Sequence, residues 1–355
     1  MRQLKNMDRV CLIYTGGTIG MKEVAGVFRP ALSVDEFLDI APELSDFVEI
    51  DLVVLSNKDS TNITPIDWSN IARAIYERRN SNYKGFVVAH GTDTMHFCSS
   101  AVAFALGQEL NFPVVFTGAQ AVPALPGGDA RRNLVNACRV AVTELAEVVI
   151  SFGDYVFRAC RTQKIDERKF AAFDSPAFPP VAYITETIDL QPVAFTQSSK
   201  QSRGMNSRTF KPHFETGILQ IELIPGLEPE LVRPIIQTAA CKGLILKSFG
   251  AGNVPTQGVF SFLELIEEAV HRRGIPVILT SQFPANSTTT TAYEPGVRAR
   301  EAGAIPTGNM TSAAAAAKFR WVLAQAKSEG LESEKKMRFV AESMMHVYIG
   351  EMSNS

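Results

Sequence analysis

Apolar residues run without interruption at several places in the first half of the chain, at 10–14, 52–55, 86–89, 114–116 and 148–152. Runs of strand length that do not alternate predict strands covered on both faces, as in a parallel sheet. Between them the pattern takes a helical period. Thr64 is an N-cap residue followed by Pro65 at the first helical position and Asp67 in the first turn, and Trp68, Ile71, Ala72 and Ile75 then share one face. Residues 130–145 repeat the period through Leu134, Ala137, Cys138, Val142 and Leu145, and 96–106 predict a further helix. Strands alternating with helices predict right-handed βαβ units.

From 191 to 213 the chain turns polar, rich in Ser, Lys and Arg and without period, which predicts a linker. A second set of elements follows, with strands at 218–224, 243–247 and 276–280 and helices near 258–273 and 311–327. Pro234 requires any helix over 230–240 to kink or to start late. The alanine run 313–317 predicts a close-packed helix face. The expected fold is α/β: two open α/β domains with largely parallel sheets, a larger N-terminal one (1–195), a linker (196–212) and a smaller C-terminal one (213–355).

Composition narrows the class. A chain of 355 residues suits two domains and buries enough surface to need no covalent staples. Mean hydropathy is +0.03. No stretch approaches the ~18 apolar residues of a membrane helix, and the first apolar run is too short for a signal-peptide core. Lys and Arg number 35 against 37 Asp and Glu, so there is no basic excess to attract nucleic acid. The five cysteines, Cys11, Cys98, Cys138, Cys160 and Cys241, are widely spaced in apolar surroundings. They read as buried free thiols in a reducing compartment. A soluble cytoplasmic protein without membrane or nucleic-acid partners is expected.

The chemistry collects where strands end. Residues 10–14 run into TGGTIG, 52–55 into SNKDSTN, 86–90 into GTDT and 114–116 into TGAQ. Ligands of open α/β sheets bind outside the carboxyl ends of strands, and here those ends carry Thr15, Thr18, Ser60, Thr61, Thr92, Asp93, Thr94 and Thr117. Many hydroxyls, one well-placed carboxylate and little histidine suit a small polar ligand and hydroxyl nucleophiles. TGGTIG lacks the dinucleotide spacing, and no phosphate-loop motif occurs. Its glycines turn a strand into a helix, or present N–H groups beside two threonines as an oxyanion site. His90 and His96 are six residues apart with no carboxylate cluster, so no metal site is expected and His90 reads as a satisfied strand-end residue. Asp93 either holds a cationic amine beside Thr92 or caps the next helix, and both readings stay open. Lys164 alone reads as a solvated charge.

TGGTIG, DST-x-ITP, HGTDTM, TGAQ with DARRNL, and GAGN, in this order, resemble the L-asparaginases, specifically the bacterial type I (cytoplasmic) group, over about residues 10–323. MTSAAAAAKF resembles the ending of that group. The resemblance implies a cofactor-free, metal-free amidohydrolase, a homodimer or dimer of dimers, that takes asparagine or a similar small ω-amide to the acid and ammonia. By the same resemblance Thr18 is the nucleophile of the mobile loop, and Thr92, Asp93 and Lys164 form a second triad. Asp93 also binds the substrate amino group, Ser60 its carboxylate with Thr61 alongside, and Asn253 and Glu294 come from a C-terminal domain that completes a neighbouring subunit's site. The chain departs from the pattern at Phe28, where the family has a loop tyrosine, at Asn62 in place of an aspartate, at His96-Phe97 in place of two glutamates, and at Ala313 in place of a glutamate. Phe28 and Asn62 leave two alternatives: a different small ω-carboxamide such as glutamine, or a weakened binding protein for asparagine or aspartate.

Overall fold

Continuous apolar strands need cover on both faces, and the first of two compact units supplies it. The structure, a computed structural model, describes residues 7–24, 26–199, 205–283, 288 and 293–353. The chain divides into units Met1–Pro212 and His213–Ser355.

In the first unit β1 (Asp8–Tyr14) leads through a small ribbon, β2 (Met21–Val24) and β3 (Val27–Pro30), to α1 (Val34–Ile40) and β4 (Val48–Val54). There follow α2 (Pro65–Arg78), β5 (Gly85–Ala89), α3 (Met95–Leu106), β6 (Val114–Thr117), α4 (Ala130–Ala141) and β7 (Val148–Phe152). The parallel strands lie in the order β4-β1-β5-β6-β7. Every residue of β5, β6 and β7 is buried. Val10, Leu12 and Tyr14 pack with Val87, Val115 and Val149 against Leu134, Ala137 and Cys138 of α4. Beyond β7 the direction reverses. β8 (Tyr155–Arg158), β11 (Ala182–Ile184) and β12 (Ile188–Leu190) extend the sheet antiparallel, while β9 (Gln163–Lys164) and β10 (Phe173–Asp174) form a separate ribbon. The sheet is therefore largely parallel, with an antiparallel margin of short strands that hydrophobic period does not mark.

The second unit is a parallel sheet in the order β13 (Ile218–Glu222), β14 (Gly243–Ser248), β15 (Val277–Ser281) and β16 (Ile305–Pro306). Its helices are α5 (Arg233–Ile236), α6 (Leu263–Glu267), α7 (Glu294–Glu301), α8 (Ser312–Ser328) and α9 (Ser333–Met345).

Several boundaries differ from the expected ones. The helix of α4 stops at Ala141, because Thr143 turns back to bond Val140 and Leu145 pairs with Thr196. The segment 258–273 is broken into a 3-10 turn, α6 and a π turn at Glu268–Arg272. Glu268 there gathers Arg233, Gln237 and Arg273 on one carboxylate. Pro234 sits in the first turn of α5, so that helix starts late and runs only four residues. Residues 200–204 of the expected linker lie outside the described residues. Beyond them the chain is fastened to the first unit: Phe210 stacks on Tyr76 with centroids 4.0 Å apart, and the Lys211 N–H donates to the Ala105 carbonyl at 3.0 Å. All five cysteines are free and buried.

The alanine run of α8 is buried, and it delivers Lys318 into the interior. Its ammonium lies 2.7 Å from Glu351, both side chains being 0% exposed, and donates to the carbonyls of Met344 and His346. Glu351 in turn accepts the N–H groups of Tyr348 and Ile349. A buried pair this well satisfied holds 346–351 on α8, and removing one partner strands the other charge. Lys318→Met is expected to lower the unfolding free energy in urea by about 3–5 kcal/mol, while Lys318→Met combined with Glu351→Leu recovers most of that loss. Single and double variants of equal stability would overturn this account.

Candidate active site

The loops after β1, β4, β5 and β6 meet because glycine lets backbone lie on backbone. Thr15 ends β1 by donating both its N–H (3.1 Å) and its hydroxyl (3.0 Å) to the Ala89 carbonyl at the end of β5. The chain then turns through Gly16 (φ 119°) and Gly17 (φ 91°), a region that side chains disfavour. A Cβ on Gly17 would stand 2.5 Å from the Gly91 nitrogen, and one on Gly91 2.8 Å from the Ser60 hydroxyl. Gly118, after β6, lies equally close to the His90 carbonyl. Thr94 adds a tie by donating to the Ser60 carbonyl at 2.7 Å. The junction falls at the carboxyl ends of β1 and β5, between which the strand order reverses, the place where open α/β sheets bind ligands.

Three of the residues implied by the resemblance are in direct contact here. The Lys164 ammonium donates to the Thr92 hydroxyl at 2.9 Å and to Asp93 Oδ1 at 2.6 Å. Its side chain is only 12% exposed, whereas that of Asp93 is 58% exposed and faces solvent on its other side. Asp93 makes this ion pair and does not cap α3, whose N-cap is Thr94. Ser60 is buried against Gly91. Thr18 is half-buried at the start of a 3-10 turn, one residue after Gly17, just as Thr92 follows Gly91. The two threonines thus flank the contact between their loops. Thr61 is exposed and gives its N–H and hydroxyl to Asp59, whose carboxyl those bonds hold below the usual range. Phe28 is in β3, paired with Glu23 of β2. Asn253 and Glu294 belong to the second unit. The Asn253 N–H closes a turn after β14 on the Phe249 carbonyl at 2.8 Å, and Glu294 is the exposed first residue of α7.

The other strand-end hydroxyls are structural. Thr15 ties β1 to β5, and Thr117 is buried and donates to the Ser151 carbonyl at 2.9 Å, tying β6 to β7. One residue that sequence reasoning left without a role stands in the site. Gln120, the last residue of TGAQ, accepts the Thr92 hydroxyl at 3.1 Å. Its only signal was membership of that motif. Its own N–H is held by Asp129, the first residue of DARRNL, at 3.0 Å.

His90 departs from the satisfied residue expected. Its Nδ1 lies 2.7 Å from the Gly91 carbonyl, which can only accept, so that nitrogen carries the proton; the buried Nε2 has no partner among the described residues. His96, in the first turn of α3, likewise buries an unpartnered Nδ1. Burial pushes both down from 6.5 to about 4, and for His96 the nearby Lys164 pushes the same way. Among the described residues no group of three or more His, Cys, Asp or Glu is arranged to hold a metal, and no helix is long and apolar enough to cross a membrane.

Residues 9–195 match the asparaginase N-terminal domain and 218–333 the glutaminase/asparaginase C-terminal domain. The L-asparaginase of Thermococcus kodakarensis is 33% identical over 330 residues, 93% of this chain and 96% of that protein. The solved structure of the thermostable L-asparaginase from that organism superposes with a TM-score of 0.85 at 31% identity, covering 98% of this chain and all of that one. L-asparaginase I of Vibrio cholerae gives 0.82 at 29% identity over 98% and 100% of the two chains. The mouse 60 kDa lysophospholipase is 33% identical over 97% of this chain, which spans 62% of that longer protein. Fold and matches together define an α/β amidohydrolase. Within that class the chain belongs to the asparaginase family, and to its type I group.

The two buried histidines tie stability to pH. An unfolded chain protonates them below about 6.5, the folded one only near 4, so the unfolded state binds more protons in that window. Their contribution is complete above pH 6.5 and is lost as the pH falls towards 4, at about 1.4 kcal/mol per histidine for each pH unit in that window. Urea unfolding is expected to require several kcal/mol less at about pH 4.5 than at about pH 7, with a shallower fall in His96→Gln. A slope that His96→Gln leaves unchanged would assign the effect elsewhere.

Proposed function

We propose that this chain hydrolyses L-asparagine to L-aspartate and ammonia through a threonine nucleophile and an acyl-enzyme. The observation that carries the reading is the bridge from Lys164 to both Thr92 and Asp93 beside the Thr18 loop. A threonine hydroxyl is a poor nucleophile until a base takes its proton. The substrate's α-ammonium, arriving at the exposed side of Asp93, competes with the lysine for that carboxylate and frees the amine for this task. Ser60 and Thr61 then face the α-carboxylate. A threonine oxygen adds to the side-chain amide carbon, and the oxyanion that forms is met by backbone N–H groups of the glycine loops. Collapse returns a proton to the leaving nitrogen, expels ammonia and leaves a β-aspartyl ester. Water cleaves the ester, restoring the threonine and releasing aspartate. Thr18 is the nucleophile of the first centre and Thr92 that of the second. No cofactor or metal enters these steps.

The same reading assigns Asn253 and Glu294 to the site of a neighbouring subunit, in a homodimer or dimer of dimers, and places the enzyme in the cytoplasm with small molecules, not nucleic acid, as its partners. A second reading rests on Phe28. With no hydroxyl at that ribbon position, Thr18 lacks the assistance a tyrosine supplies, and the pocket favours another small ω-carboxamide such as glutamine or retains a ligand without turning it over.

Ammonia release from asparagine, glutamine and related ω-amides tests these readings. Thr18→Ala, Thr92→Ala and Lys164→Met are each expected to lower kcat on asparagine by about 10²–10⁴-fold or more, and Phe28→Tyr to raise it. A silent wild type awakened by Phe28→Tyr would replace the hydrolase with a binding protein.

A further inference from the structure

We infer that Gln120 is a positioning residue for the nucleophile: together with Lys164 it anchors the Thr92 hydroxyl of the resting site, so that the oxygen is held in place until the proton turns to the lysine. The inference rests on the hydrolase reading above and extends it to a residue outside the triad. A hydroxyl oxygen has four directions: its carbon, its hydrogen and two lone pairs. At Thr92 the hydrogen is directed to Gln120 Oε1 at 3.1 Å, and one lone pair receives the Lys164 N–H at 2.9 Å. One direction remains, and with the other three anchored it cannot swing. A threonine held by the lysine alone would rotate its hydroxyl freely between partners.

The arrangement depends on which way the Gln120 amide faces, and its surroundings decide that. Its Nε2 lies 3.3 Å from the Asp166 carbonyl and 3.5 Å from that of Lys169. Carbonyls only accept, so the NH₂ must face them and the oxygen must face Thr92. These two carbonyls are themselves held. The Asp166 carboxylate accepts the N–H groups of Arg168 at 2.8 Å and Lys169 at 3.0 Å, bonds that bring its own proton affinity down to about 2. At its other end, the backbone of Gln120 is fixed by Asp129. The residue spans two braced supports and presents only an acceptor to the nucleophile.

The acceptor also sets the timing of the proton. While Lys164 is an ammonium, the Thr92 hydrogen has Gln120 as its acceptor and the threonine rests. Once the ammonium has released a proton to solvent and is an amine, the hydrogen turns from Gln120 to Nζ, and attack of the oxygen on the carbonyl carbon transfers it there. Gln120 takes no proton itself and touches Thr92, not substrate.

The test compares Gln120→Leu and Gln120→Glu with wild type in steady-state ammonia release across pH, with thermal melting as the check on folding. Gln120→Leu, which removes the acceptor, is expected to lower kcat by about 10²-fold, with KM within about threefold of wild type. Gln120→Glu keeps an acceptor but adds a negative charge beside Lys164, which favours the ammonium over the amine. Its kcat profile is expected to move its acid limb to higher pH and to exceed that of Gln120→Leu on the alkaline side. The added charge moves the limb whatever the role of Gln120, whereas a purely structural role does not predict the recovery over Gln120→Leu. Unimpaired kcat in a folded Gln120→Leu, or an alkaline-side kcat in Gln120→Glu no higher than that of Gln120→Leu, overturns the inference. Should Gln120→Leu fail to fold, the alkaline-side kcat of Gln120→Glu decides alone: near wild type supports the acceptor role, and a loss of about 10²-fold overturns it. An active wild type beside an unimpaired variant overturns the positioning role only, whereas a wild type silent on every amide overturns the hydrolase reading and this role with it.

Discussion

Four loops reach one point because two glycines let main chain touch main chain. Gly17 rests on Gly91, and Gly91 leaves room for Ser60. A methyl group at Gly17 would overlap main-chain atoms of Gly91 and His90, just past the end of β5 that Thr15 pins, and one at Gly91 would overlap Ser60. Everything chemical in the first unit is placed relative to that contact: Thr18 and Thr92 each stand one residue beyond it, and Asp93 follows. The sheet beneath supplies rigidity, since three consecutive parallel strands are buried on both faces and bear no burden other than holding their ends in place.

Much of this was readable in the chain. Unbroken apolar runs marked β1, β5, β6 and β7 because burial on both faces leaves no polar alternation. Thr64, Pro65 and Asp67 marked α2, and in the structure the Asp67 carboxylate accepts both the N–H and the hydroxyl of Thr64 at 2.8 Å. The four loops announced themselves by small hydroxyl residues directly after strands. What local pattern did not mark were the antiparallel margin and the β9–β10 ribbon, whose strands of two to four residues are too short to show a period.

The same limit governed the site. Lys164 sits on one of those short strands, and nothing beside it in sequence distinguishes it from a solvated lysine; the family resemblance brought it forward, and its contact with Thr92 and Asp93 is a tertiary fact. Gln120 was hidden for a related reason. Its partners are carbonyls on a remote turn, and a backbone carbonyl leaves no trace in composition. His90 and His96 showed the converse. Their residue type was plain, yet burial with an unpartnered nitrogen is a property of packing that no motif records.

The spacing along the chain has one more implication. Lys164 is 72 residues from Thr92, and the strand that carries it follows all five parallel strands in sequence. A ribosome synthesising the protein therefore completes the whole parallel sheet, with both threonines and their glycine loops, before the amine has been made. Until then the emerging polypeptide holds Thr92 and Asp93 without the lysine that bridges them. The contact of Lys164 with Thr92 and Asp93 forms only when a short ribbon, the last of these pieces to be synthesised, closes on a scaffold already present.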